Sequence, residues 1–256
     1  MLEILKSIRS TQQWWYLAWF DIRQRYRRSV LGPLWITITT GIMVLALGVL
    51  WSTLFKTEIR EFMPYFAAGL IIWGFLSTQL NEACVGYVQF EGYIKQIYLP
   101  FPLYVLRFWA RNLIFLAHNM LVFLGVWAFF GFYWMPNFLQ LILGFTILSS
   151  ILFFASIPIA TVCARFRDIT PIVQSMIQIA YFFTPIMWQI KVLPERYHYL
   201  AAYNPLYHIL EIVRAPLLGQ SPALESWLCS LAILVFSMLV AVFFNNRYSK
   251  RIAYWL

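Results

Sequence analysis

The chain has 256 residues, of which 62% are apolar, 20% aromatic and 11% charged, with a formal net charge of +9 and a mean hydropathy of +0.70. An ordinary soluble domain is about 45–50% apolar and about 25% charged, so a water-soluble core would leave too much apolar surface uncovered. Composition excludes a soluble enzyme and a disordered regulator, and the gathering of charges into clusters between long neutral stretches points to an integral membrane protein.

Residues 1–28 open the chain with Leu2, Leu5 and Ile8 at helical spacing, Lys6 and Arg9 on another face, then Trp14, Trp15, Tyr16 and Trp19. This pattern describes an interfacial helix in the headgroup plane, serving either as an anchor or as a gate or partner contact. Charges at positions 3, 6 and 9 and the lack of a small-residue cleavage site argue against a cleavable signal peptide. The segment Asp21-Ile-Arg-Gln-Arg-Tyr-Arg-Arg-Ser29 follows. Its charges either fix orientation and touch anionic lipid, or form a ring of arginines at the cytoplasmic mouth that grips a phosphate in bidentate fashion.

Five charge-free intervals come next: Ser29 to Phe55, Phe62 to Asn81, Asn112 to Ala164, Ile169 to Ile190 and Ser226 to Asn246, of 27, 20, 53, 22 and 21 residues. A membrane-crossing helix needs about 20 apolar residues. Four intervals therefore hold one span each and the third holds two, divided at Gly131-Phe-Tyr-Trp-Met-Pro-Asn137, where glycine, proline and interface aromatics mark a turn. Six spans place both termini on one side. That side collects 14 of the 19 basic residues, including Arg107 and Arg111 in a loop over 82–111, and the nets of the two sides are +9 and 0. The positive-inside rule makes both termini cytoplasmic.

Inside the spans, His118 and Asn119 fit a hydrogen bond to a neighbouring helix or a ligand role, and Pro158 and Pro185 are expected to kink spans four and five. No acid sits at mid-membrane depth, which argues against ion-coupled transport. Cys84, Cys163 and Cys229 are odd in number and lack metal-ligand spacing.

Three connections stand out. The stretch 86–102 is too polar to cross and too apolar to float free; a short helix to Ile97, stopped by Pro100 and Pro102, needs either a docking partner or the bilayer surface. Arg165-Phe-Arg-Asp168 is a tight turn before Thr170-Pro171, an N-cap and first helical position. The outer segment 191–225 has helix starts at Pro194 and at Asn204-Pro205, and a stop at Pro216 with Gly219. Leu206, Ile209, Leu210, Val213 and Leu217 make an amphipathic face. Glu211 and Arg214 are spaced to pair. This outer hairpin, surface or re-entrant, is a candidate exit gate.

Chemistry-bearing motifs are missing. The sequence has no phosphate loop, no H-E-x-x-H and no G-x-S-x-G, so a passage with a cytoplasmic docking element is expected to draw its energy from another chain.

The order of Asp21-Ile-Arg-Gln-Arg-Tyr-Arg-Arg-Ser29 with Leu31-Gly-Pro-Leu-Trp35, six spans, Phe101-Pro102, Arg165-Phe-Arg-Asp-Ile169, Phe183-Thr-Pro-Ile186 and Asn204-Pro-Leu206 to Arg214 resembles the ABC-2 permeases, in particular the branch exporting O-antigen, capsule and teichoic acid polymers. The resemblance implies an all-α integral membrane fold over 1–256, a single transmembrane domain in a bacterial inner membrane. It also implies a homodimer, two separate nucleotide-binding subunits that hold ATP and Mg, no cofactor in this chain and no nucleic acid partner.

On the same resemblance, the 86–102 segment is the coupling helix, with Glu91, Tyr93, Lys95 and Gln96 receiving the ATPase movement. Arg23, Arg27 and Arg28 would meet the diphosphate of an undecaprenyl-linked glycan. Trp35, Tyr181, Phe182 and Trp188 would border the glycan conduit, and Asn204, Pro205, Glu211 and Arg214 would belong to the periplasmic gate. The rivals are a drug or lipid as cargo, a transporter or channel that works without ATP, and a membrane-embedded transferase.

Overall fold

The computed structural model describes residues 2–130 and 134–256, and every regular element among them is helical. Two short helices, α1 (Leu2–Arg9) and α2 (Thr11–Arg25), precede α3 (Leu34–Leu54) and α4 (Ile59–Gln89). Then come α5 (Glu91–Gln96), α6 (Phe101–Phe129), α7 (Phe138–Arg165) and α8 (Ile169–Phe183). Two 3-10 turns and α9 (Tyr199–Ala202) lead into α10 (Pro205–Leu217) and α11 (Leu224–Trp255).

Helices α3, α4, α6, α7 and α11 are long and apolar enough to cross a membrane. At 1.5 Å per residue, the 31 residues of α4 and 32 of α11 reach about 46–48 Å, well beyond a hydrocarbon core of about 30 Å. Local chemistry sets the helix starts. Asn137 caps α7 by accepting from the Gln140 N–H at 3.2 Å, Asn204 caps α10 through the Leu206 and Tyr207 N–H groups, and Pro102 and Pro205 occupy first-turn positions where no donor is needed.

Both termini lie at one end of the bundle. Ile4 and Ile252 share an apolar cluster with Tyr87, Phe90, Tyr104, Phe153 and Ile157, and Asn245 donates to Glu3 at 3.2 Å. A second cluster joins α4, α6, α7 and α10 towards the far end, around Ile71, Phe75, Phe123, Leu152 and Leu210. At Gly144 a Cβ would stand 2.0 Å from the Ile212 carbonyl oxygen, so only glycine lets α7 and α10 approach this closely. Gly219, at φ +73°, closes the chain after α10 in a conformation that L side chains rarely adopt.

Several expectations change. The coupling element is a six-residue helix, Glu91–Gln96; residues 86–89 are the last turn of α4, which Phe90 ends. Arg107 and Arg111 sit inside α6 rather than in a loop, because paired charges are carried within a helix. Pro185 stops a helix instead of kinking one: α8 ends at Phe183 and has 15 residues, about 22 Å. The first leg of the outer hairpin is two 3-10 turns and four residues of α9, with Pro194 opening only the turn Glu195–Tyr197. Pro158 lies inside α7, in the span where it is expected. Of the expected turn at 131–137, residues 131–133 lie outside the described residues.

Candidate functional site

The terminal end carries a buried ion cluster. Arg107 donates to both Asp21 oxygens, at 2.8 Å from Nε and 2.5 Å from Nη2. Arg111 bridges Asp21 at 3.2 Å and Glu82 at 2.8 Å. The arginines are only 3% and 5% exposed, and two acids balance two bases, the condition under which charges tolerate burial. Asn112 extends the cluster by donating to Glu82 and Gln79, both at 2.9 Å, and Gln79 donates to Ser156 at 3.0 Å. One network thus joins α2, α4, α6 and α7.

The network reaches α5 through aromatic faces. The Arg107 guanidinium lies 4.2 Å from the Phe90 ring centre and 5.1 Å from that of Tyr93, within cation–π range. Tyr93 is half exposed, and Glu91 and Lys95 pair at 2.5 Å on the surface of α5. The hydrogen bond from Lys95 holds the Glu91 carboxyl below the usual carboxylate range.

On the other face of α2, a cleft of about 760 Å³ is lined by Tyr16, Trp19, Phe20, Arg23, Tyr26, Arg27 and the Gly32-Pro33 turn. It brings Arg23 and Arg27 together with aromatic rings, while Arg28 is exposed outside it. A second groove, about 670 Å³, runs between α3, α4 and α8 and is lined by Met43, Trp73, Ser77, Asn81, Gln174, Gln178, Tyr181 and Phe182. Tyr181 stacks obliquely on Trp73, ring centres 5.7 Å apart. Trp188 donates its indole N–H to the Phe182 carbonyl at 3.1 Å, and Trp35 is exposed on α3, outside this groove. None of the residues of α8 is buried.

At the far end, Arg214 is the hub. It is 1% exposed, donates to Glu211 at 2.9 Å and to the Pro185 carbonyl at 2.5 Å, and its guanidinium lies 4.0 Å from the Tyr65 ring centre. The Tyr65 hydroxyl donates to the same Pro185 carbonyl at 2.9 Å, and the Asn204 amide donates to Thr184 at 3.1 Å. The segment after α8 is therefore clamped between α4 and α10. His208 lies 3.0 Å from Ser226 Oγ and 2.8 Å from the Ala202 carbonyl, tying α10 to α9 and α11. His118 engages its own helix at the Ile114 carbonyl, 2.8 Å away, and Asn119 accepts from Thr40 at 3.2 Å.

Sequence reasoning missed Asp21, Glu82, Arg107 and Arg111 as one unit, and Tyr65 and Pro185 as partners of Arg214. A signal existed: two arginines four residues apart in α6 lie on one face and so need anionic partners from elsewhere in the fold.

Comparison with known proteins supplies the family. The ABC-2 type transporter family matches residues 12–218. The chain is 24% identical over 197 residues to the polysialic acid transport protein KpsM of Escherichia coli, 76% of each chain. It is 22% identical over 190 residues to the O-antigen export system permease protein RfbA of Klebsiella pneumoniae, covering 73% of this chain and 72% of the relative. A Myxococcus xanthus protein of that name is 21% identical over 203 residues, 76% of each. A multi-pass bundle of apolar helices with this match over most of its length belongs to the ABC-2 type transporter family of membrane permeases.

Proposed function

We propose that this chain is the membrane-spanning subunit of an ATP-driven exporter of a lipid-linked polysaccharide in a bacterial inner membrane. The observation that carries the proposal is the groove between α3, α4 and α8. It places Ser77, Asn81, Gln174 and Gln178 beside Trp73, Tyr181 and Phe182. Amides and hydroxyls facing lipid are costly; facing a glycan, they find partners in sugar hydroxyls while the rings cover sugar faces. The similarity to polysialic acid and O-antigen export proteins supports the same cargo class.

In this reading α8 is the fifth of six spans, and its uncovered face meets a second copy of the chain, so that a homodimer encloses the conduit. The terminal end is cytoplasmic. Two nucleotide-binding subunits hold ATP and Mg and press on α5 at Glu91, Tyr93, Lys95 and Gln96. Arg107 takes that displacement from Phe90 and Tyr93 and, through Asp21, hands it to α2. Arg23 and Arg27 meet the diphosphate of an undecaprenyl-linked glycan in their cleft, with Arg28 adding long-range attraction. Asn204 and Pro205 start the gate helix, and Glu211 and Arg214 hold it shut against Pro185. Trp35 and Trp188 stand at opposite ends of the conduit.

Deletion of the gene in its own host is the test. Lipid-linked polymer accumulating in the cytoplasm and vanishing from the cell surface, with rescue by the wild-type chain and not by a Tyr181→Ala/Gln178→Ala variant, is the expected result. Unchanged surface polymer together with loss of a drug- or lipid-export phenotype would assign another cargo.

A further inference from the structure

At the far end of the bundle a separate pocket of about 470 Å³ opens between the start of α4, the segment after Trp188 and the turn after α10. Four of its lining residues are charged, Glu58 and Glu61 against Arg60 and Lys191, and their charges cancel. Lys191 already pairs with Glu61 at 3.0 Å. A neutral balance favours neither an anion nor a cation as occupant.

The polar inventory identifies what fits. Gln189 lines the pocket, is 8% exposed, and its Oε1 has no hydrogen-bond partner among the described residues. A buried acceptor demands a donor. Together with the Glu58 carboxylate and the Gln220 amide, it asks for an uncharged group rich in hydroxyls. Trp134 supplies an aromatic wall, and the volume falls within the range of about 300–1,000 Å³ usual for small-molecule sites.

We infer that this pocket is an exit site that binds an uncharged, hydroxyl-bearing sugar residue of the emerging glycan. The inference rests on the export reading above and adds a site at the far face to it. Tyr65 forms part of the pocket wall and also covers the Arg214 guanidinium, so a sugar held by Gln189 presses against the hub that clamps the gate. Capture at the exit gives the polymer a foothold outside the conduit and disfavours backsliding.

The experiment uses the full chain in its own host, with its polymer being made. The photoreactive amino acid p-benzoylphenylalanine is substituted for Gln220 in one protein and for Phe182 in another, and after illumination the purified chain is stained for attached carbohydrate. Adducts are expected at both positions, and Gln189→Leu lowers the ratio of the adduct at 220 to that at 182 at least fivefold. Where Gln189→Leu fails to reach the membrane, Glu58→Ala, at an exposed position, takes its place with the same expected fall. An adduct at 182 without one at 220, or a ratio insensitive to the substitution, overturns the exit site and leaves the export reading intact. Carbohydrate at neither position removes the export reading and the exit site with it.

Discussion

Asp21, on a helix outside the apolar spans, accepts two hydrogen bonds from Arg107, which is buried inside α6, at 2.8 and 2.5 Å. The pair joins residues 86 positions apart and links α2, which carries the arginine cleft, to the α6 residue that stacks on Phe90 and Tyr93. Arg107→Ala leaves Asp21 with Arg111 alone; removing one partner of a buried pair costs about 3–5 kcal/mol. The variant should melt well below wild type in detergent. The double variant Asp21→Ala/Arg107→Ala should lose less than the sum of the single losses, by about 1 kcal/mol or more. Additive losses would mean that the two side chains act independently.

Arg107→Lys keeps the charge and loses the planar fork. It should retain basal ATP hydrolysis by the assembled transporter while export per ATP falls about tenfold. Parallel measurement of phosphate release and polymer appearance checks this, and a proportional fall of both would contradict a transmitting role.

Arg214→Leu removes one of the two donors that pin the Pro185 carbonyl, leaving Tyr65 alone there, and takes the guanidinium away from Glu211. The clamp should loosen, so vesicles carrying the variant leak small sugars in the absence of ATP, whereas wild type does not. Arg214→Lys should leak less than Arg214→Leu, because the ammonium still pairs with Glu211, although it cannot reproduce the two guanidinium donors to that carboxylate together with the third to Pro185. Dye-release or sugar-efflux traces decide between these outcomes.

Gly144→Ala places a methyl 2.0 Å from the Ile212 carbonyl oxygen, forcing α7 and α10 apart. A loss of about 1–3 kcal/mol is expected for such overpacking, read as a lower melting temperature. Gly125→Ala, where a Cβ meets no described atom within 4 Å beyond its own stretch of helix backbone, should be neutral or stabilising by about 0.5–1 kcal/mol, since glycine weakens a helix interior.

Arg23→Ala and Arg27→Ala, both in the cleft, should each weaken binding of undecaprenyl diphosphate to the purified chain at least fivefold. Arg28→Ala should weaken it less, and its effect should fade sooner as salt rises, because Arg28 lies outside the cleft and acts on the phosphates only across solvent, where salt screens it. Titration at two ionic strengths separates the cases.

Much of this architecture was legible in the sequence. Charge-free stretches located α3, α4, α6, α7 and α11, and the Asn204-Pro205 pair located the start of α10, because hydrophobic length and capping chemistry are local properties. The arginine segment and Tyr181 with Phe182 were also visible as types of residue. Hidden were the features that depend on partners far along the chain. Arg107 looked like a loop residue because a charge ordinarily ends a span, and only the fold brings Asp21 and Glu82 to neutralise the pair in α6. Pro185 looked like a kink because its carbonyl's two donors, Tyr65 and Arg214, come from α4 and α10. Gln189 carried no periodic or motif signal at all.

Reconstitution of the chain with its nucleotide-binding partner in proteoliposomes, supplied with the lipid-linked glycan on the cytoplasmic side, tests the central claim most directly. Polymer should appear on the opposite side only with ATP, Mg and the partner all present, and should stop when a non-hydrolysable analogue replaces ATP. Transport by the chain alone, or polymer movement indifferent to ATP, would contradict the account.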